Sequence, residues 1–134
     1  MGVRTTVWLL LFAISACSPP QTRSVALRSG KKIRVLALSE VTFPQEGPAL
    51  ILKYQTDLKV AEKKALRREV DEIWPLLKVD VENRGLSNAL ISANEVPSGL
   101  ILRSASGYNF VFQKSPDGNW HCLDDEKNKA RVNP

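Results

Sequence analysis

One histidine, His121, and two cysteines, Cys17 and Cys122, are all the imidazole and thiol groups in 134 residues. A structural or catalytic zinc centre needs a spaced set of such ligands, so no metal site is expected. Acid–base catalysis by a histidine pair is excluded outright. No Gly-x-Ser-x-Gly turn frames a serine nucleophile. The seven glycines sit singly at candidate turns and not in a phosphate-cradling loop. No Asp-rich calcium loop is present. The sequence also lacks an apolar run of the roughly 20 residues that a membrane-spanning helix requires. Charge of a single sign is missing too: the formal net charge is +5, from 19 basic and 14 acidic residues. Glu62-Lys63-Lys64 and Arg67-Arg68-Glu69 interleave the signs. That pattern reads as a solvated helix face and not as a phosphate-binding stripe, and no nucleic-acid partner is expected. No catalytic residue and no cofactor is assigned.

What is present begins at the N-terminus. Arg4 precedes an uncharged run, Val7 to Ile14, and the order Ile14-Ser15-Ala16-Cys17 follows. A basic start, a short apolar stretch and small residues make a secretory signal peptide. The segment resembles the lipobox of bacterial lipoproteins, in which an aliphatic residue and two small residues precede a cysteine. The resemblance covers the first 17 residues. It implies cleavage of residues 1–16 and lipidation of Cys17, and therefore membrane attachment through acyl chains, each buried methylene of which adds about 0.8 kcal/mol. Ser18 stands where an aspartate would mark inner-membrane retention, so the resemblance implies the outer membrane, facing the periplasm. With Cys17 lipidated, Cys122 has no partner in the chain. It is expected in the core, where an unpaired thiol behaves as a small apolar group.

Four segments are expected: the signal peptide 1–16; the lipidated cysteine with a flexible tether, 17–32; a globular domain, 33–123; and a disordered polar tail, 124–134. In the tether, Arg23, Arg28, Lys31 and Lys32 are candidate contacts to lipid headgroups. Within the domain, residues 33–43 and 49–56 read as two strands forming a hairpin. Leu66, Val70, Ile73, Leu77 and Val81 recur at helical spacing, which predicts a helix over 59–84. Thr56 or Asp57 is expected to cap its start, and Gly85 its end. Pro75 lacks the N–H that would bond the Asp71 carbonyl, predicting a kink. Residues 88–96, 100–104, 108–114 and 120–123 read as further strands. Tyr108, Phe110 and Phe112 share a face, and Pro116-Asp117-Gly118 forms a turn. The expected fold is α+β: a single antiparallel-rich sheet of five or six strands with one long, kinked helix on one face.

Three functional classes remain, one of them a periplasmic inhibitor or solute-binding accessory. The first is a non-catalytic, lipid-anchored envelope protein that binds another protein or an envelope polymer, with Trp74, Trp120 and His121 as its possible binding surface. The second is an enzyme or thiol-redox protein using Cys122 and His121. Neighbours on a strand point to opposite faces, which disfavours the second. Asp80, Glu82 and Glu72 lie on a lysine- and arginine-rich helix and read as surface ion-pair partners.

Overall fold

The apolar spacing of residues 66–81 is realised as α1, Lys63–Asn83, with Leu66, Val70, Ile73, Leu77 and Val81 all buried. The computed structural model describes residues 23–98 and 106–124. The expected signal peptide, Cys17, the strand at 100–104 and the tail beyond Asp124 lie outside the described residues. Among the described residues, one helix and one sheet of six strands make an α+β fold. The strands are β1 Arg23–Ala26, β2 Lys32–Phe43, β3 Gly47–Thr56, β4 Asn88–Glu95, β5 Gly107–Lys114 and β6 Trp120–Cys122, and they lie in that order across the sheet.

The sheet is mixed, where the sequence predicts an antiparallel-rich sheet and leaves the strand order open. β3 and β4 run parallel, with Leu52 opposite Ile91, while the other four pairs are antiparallel. The reason is the connection. A hairpin reverses the chain, whereas a crossover helix brings the next strand back in the same direction. The helix α1 is that crossover.

A second difference lies at the start. Arg23–Ala26, inside the span expected to be a tether, pairs with Ile33, Arg34 and their neighbours on β2. Leu27 follows, buried at the edge of the core. The polar neighbours of Val25 and Leu27 obscure the pattern, but those two apolar groups lie under the sheet edge and hold the segment there.

Helix ends follow local chemistry. The start is four residues later than expected, and neither Thr56 nor Asp57 caps it. Thr56 Oγ1 accepts from the Leu58 amide at 3.1 Å, which fixes the preceding turn, and Glu62 occupies the cap position without a side-chain cap bond. At the other end Gly85 is left-handed, with φ of +67°. The Gly85 amide donates to the Glu82 carbonyl at 3.0 Å and the Leu86 amide to the Val81 carbonyl at 3.1 Å. This pair of bonds is the Schellman stop, and it turns Leu86 in beside Val81.

Directly opposed residues on paired strands share a face. Leu50, Leu52, Tyr54, Ile91, Phe110, Phe112 and Cys122 are buried on the helix side. The other face carries Ile51, Leu90 and Val111 in one register row, flanked by the polar row Lys53, Ser92 and Asn109.

Candidate functional site

One helix is too narrow for this sheet. Strands spaced ~4.8 Å apart make six strands about 24 Å wide, whereas a helix with its side chains spans roughly 10 Å. The helix sits toward β4–β6: Trp74 stacks on Phe112 at 4.0 Å between ring centroids, nearly parallel, and meets Trp120 edge-on at 5.1 Å. Among the described residues the β1–β2 side is left open as a groove of about 510 Å³. Its walls are aliphatic, with Leu36, Leu38 and Leu52 from the sheet and Ile73, Leu76 and Leu77 from the helix. Arg23 and Asp80 stand among the lining residues as its only charges. Leu38 is 44% exposed and Leu76 55% exposed. A bulge makes this wall. The register shifts between Val35 and Ala37, so that Leu36 is extra and Leu38 comes opposite Leu52 on the helix side. Strict alternation from Ile33 and Val35 would send Leu38 to the other face.

The open wall is tied down at its turn. Lys31, between β1 and β2, places Nζ 2.5 Å from Glu69 Oε2 and 2.6 Å from Asp57 Oδ1. The Ser29 amide donates to Glu72 Oε2 at 2.8 Å. Glu69 is buried in the protein, and a buried carboxylate needs such a partner. Burial by itself would lower the Lys31 pKa, but the hydrogen bonds to Asp57 and Glu69 outweigh it and raise the value above the ordinary lysine range. The same hydrogen bond from Lys31 holds Asp57 below the usual carboxylate range. The Tyr54 phenol is pushed up by burial first and by the Glu69 charge second, so it stays neutral.

On the opposite flank of the helix a second groove, of about 360 Å³, is lined by Lys63, Lys64, Arg67 and Arg68, with Tyr108 and Phe110 as its floor and Asp124 as its one carboxylate among the described residues. Lys63 Nζ lies 5.1 Å from the centroid of the Tyr108 ring, and Arg67 lies 5.7 Å from that of Phe112. These ring contacts fix cations at the groove wall. Arg67 also pairs with Asp71 at 3.1 Å. The cations sit in the first turns of α1, which has no acidic residue in its first turn. The helix dipole disfavours positive charge at Lys63 and Lys64, in the first turn, by about 0.3–1 kcal/mol each, and the like charges four residues apart, Lys63 with Arg67 and Lys64 with Arg68, add a repulsion of ~0.2–0.5 kcal/mol. Helix stability therefore does not account for this arrangement.

The candidate residues read from the sequence separate in space. Trp74 and Trp120 touch each other within the aromatic packing, where both are half-buried, and Trp120 Nε1 donates to Glu82 Oε1 at 3.0 Å. His121 is exposed and lies opposite Gln113 on the far face of the sheet. Cys122 is buried on the helix side. The two neighbours therefore point away from each other. Among the described residues no group of three His, Cys, Asp or Glu side chains is placed to hold a metal ion, and no helix is long and apolar enough to cross a membrane.

Both grooves escape a reading of the sequence. The first depends on the bulge. The second is masked by the acids interleaved with its cations; helical spacing alone sets Glu69 and Glu72 apart from the cations, and the fold shows what they meet there, Lys31 and the Ser29 amide.

Compared with known proteins, the chain matches no family model, no curated protein and no solved structure.

Proposed function

We propose that this chain is a lipid-anchored protein of the bacterial cell envelope, carried on the outer membrane and facing the periplasm. Its small domain acts by binding and not by catalysis. Residues 1–16 are removed, Cys17 carries the acyl chains, and the aliphatic groove between α1 and β2 receives an apolar part of another envelope protein or envelope component. The observation that carries the binding role is the groove, a preformed aliphatic concavity with half-exposed leucines on both walls. Its volume falls within the roughly 300–1,000 Å³ common to ligand sites. Within this reading the sheet keeps its predominantly antiparallel character around the one parallel pair. The helix bends at Pro75, beside Leu76, where the ring displaces the backbone bond to Asp71.

The competing thiol-redox reading requires Cys122 and His121 to share a substrate. The burial of Cys122 and the opposite directions of the two side chains weigh against it.

Two measurements test the proposal. Mass spectrometry of the native protein should show residue 17 as an acylated N-terminus, and an unmodified Cys17 on a soluble product defeats the anchor. Nile red, a neutral dye, should brighten in the folded protein and lose that signal in L38D/L76D. Equal brightness in the variant defeats the groove.

A further inference from the structure

We propose that the cationic groove at the start of α1 is a docking surface for the phosphate groups of an anionic lipid bilayer. The charge layout around the helix is the argument. The acids Glu69 and Glu72 are turned toward the β1–β2 turn and occupied there by Lys31 and the Ser29 amide. That leaves Lys63, Lys64, Arg67 and Arg68 gathered on the opposite flank, around one groove whose single carboxylate among the described residues is Asp124, with Arg67 also paired to Asp71. Lys64 and Arg68 are exposed. Tyr108 and Phe110 beneath them give the groove an amphipathic floor, which suits the boundary between headgroups and water.

The same end of the domain carries an apolar group. Glu95, at the end of β4, lies opposite Thr56, accepts from the Val60 amide at 2.6 Å and pairs with Lys59. The loop that leads into α1 is thereby held against the end of β4. The next residue, Val96, is 50% exposed. Cations over a half-buried tyrosine, with an exposed valine at the same end of the sheet, fit a bilayer surface better than a soluble polyanion, because only the bilayer offers phosphates above an apolar layer.

The surface differs from the cations first considered in the sequence. Of the four in the span 17–32, Lys31 is committed to Asp57 and Glu69. Docking by Lys64 and Arg68 orients the domain with the start of α1 toward the membrane, and it does so whether or not Cys17 is acylated.

The test uses the full chain carrying Cys17→Ser, which removes the acylation site. The quantity read is the ratio of partitioning into phosphatidylglycerol vesicles over phosphatidylcholine vesicles, so that any contribution of the apolar run at residues 7–14 cancels. Each basic residue near an anionic surface raises partitioning about fivefold. The substitution K64E/R68E should therefore lower the ratio about twentyfold or more, and K64Q/R68Q by less. K53E, an equivalent exposed charge on the far face of the sheet, should stay within about twofold. Salt at several times physiological strength should abolish the preference. Circular dichroism and Tm establish that each variant is folded, and K64Q/R68Q serves if the charge reversal is not. A ratio unchanged in the folded double variant overturns the proposal. An equal loss with K53E also overturns it, because the attraction then belongs to net charge and not to this groove. Capture by polyphosphate with no preference between the two vesicles overturns the choice of a bilayer.

Discussion

Lys31 and Glu69, 38 residues apart in the chain, meet at 2.5 Å where the β1–β2 turn crosses α1. The carboxylate side chain is 4% exposed and the ammonium side chain 34% exposed. Removing one member of a buried pair by substitution costs about 3–5 kcal/mol, because the other is left charged and unpaired. The exposure of Lys31 lets water replace part of the interaction, so Lys31→Met should lose roughly 2–3 kcal/mol. The double variant K31M/E69L removes both charges and should recover most of the loss. Urea unfolding of the three proteins measures this, and a double variant no better than K31M would show that the pair is not what stabilises the turn.

The pH dependence of stability follows from the same cluster. Asp57 has a folded pKa below its ordinary 3.8. Its contribution is therefore present above that value and is lost as pH falls through the folded pKa. Lys31 has a folded pKa above its ordinary 10.5. Its contribution is complete below that value and is lost as pH rises through the folded pKa. Asp57 is largely exposed, so its share is small. D57N should flatten part of the acid limb and should also lower the alkaline limb, since Lys31 loses one of its two acceptors. Tm measured from pH 2 to pH 11 checks both limbs. An acid limb unchanged in D57N would remove Asp57 from the linkage.

The helix was legible in the sequence because its buried positions, Leu66 through Val81, obey a period that only a helix satisfies. Tyr108, Phe110 and Phe112 were legible as one strand face for the same reason at period two. The strand β1 was not, since four residues with two apolar neighbours carry too weak a pattern. The parallel pairing of β3 with β4 was not either, because strand order is set by how the crossover packs and not by the strands' own residues. Trp74 and Trp120 stood out by residue type, but large aromatics serve cores as readily as surfaces, and here Trp74 stacks on Phe112 while Trp120 packs edge-on against Trp74. The grooves depend on a register shift at Leu36 and on the directions in which Glu69 and Glu72 leave the helix. The first is not written in a local pattern; the second follows from helical spacing, but what those two acids meet does not.

Cys122 lies on the helix face of β6 while His121 lies on the other. A thiol reagent should therefore leave the native protein unmodified and label it once denatured. Cys122→Ser should cost about 1–3 kcal/mol by burying a hydroxyl in an apolar site, and His121→Ala should change stability by less than about 0.5 kcal/mol. Fast labelling of the folded protein would reopen the thiol-redox reading. A folded His121→Ala protein that fails to complement a deletion would make His121 a functional residue.

Ile73 and Leu76 lie three residues apart on α1, and both line the aliphatic groove, yet they should behave differently. Ile73 is 2% exposed and packed within the core. Leu76 projects from the helix with more than half its surface in water. Truncating a packed isoleucine to alanine removes its transfer free energy and leaves a cavity, so Ile73→Ala should destabilise by about 2–5 kcal/mol. Leu76 has little buried surface to lose, and alanine is the better helix former, so Leu76→Ala should fall within about 0.5 kcal/mol of the parent. The same Leu76→Ala variant should weaken Nile red binding, because a leucine idle in the free protein becomes buried when the groove is filled. Unfolding curves and dye titrations on the two variants separate the roles. If Leu76→Ala destabilises the fold as much as Ile73→Ala, the groove is part of the core and not a binding surface. If it leaves both stability and dye binding unchanged, the exposed wall contributes nothing to either.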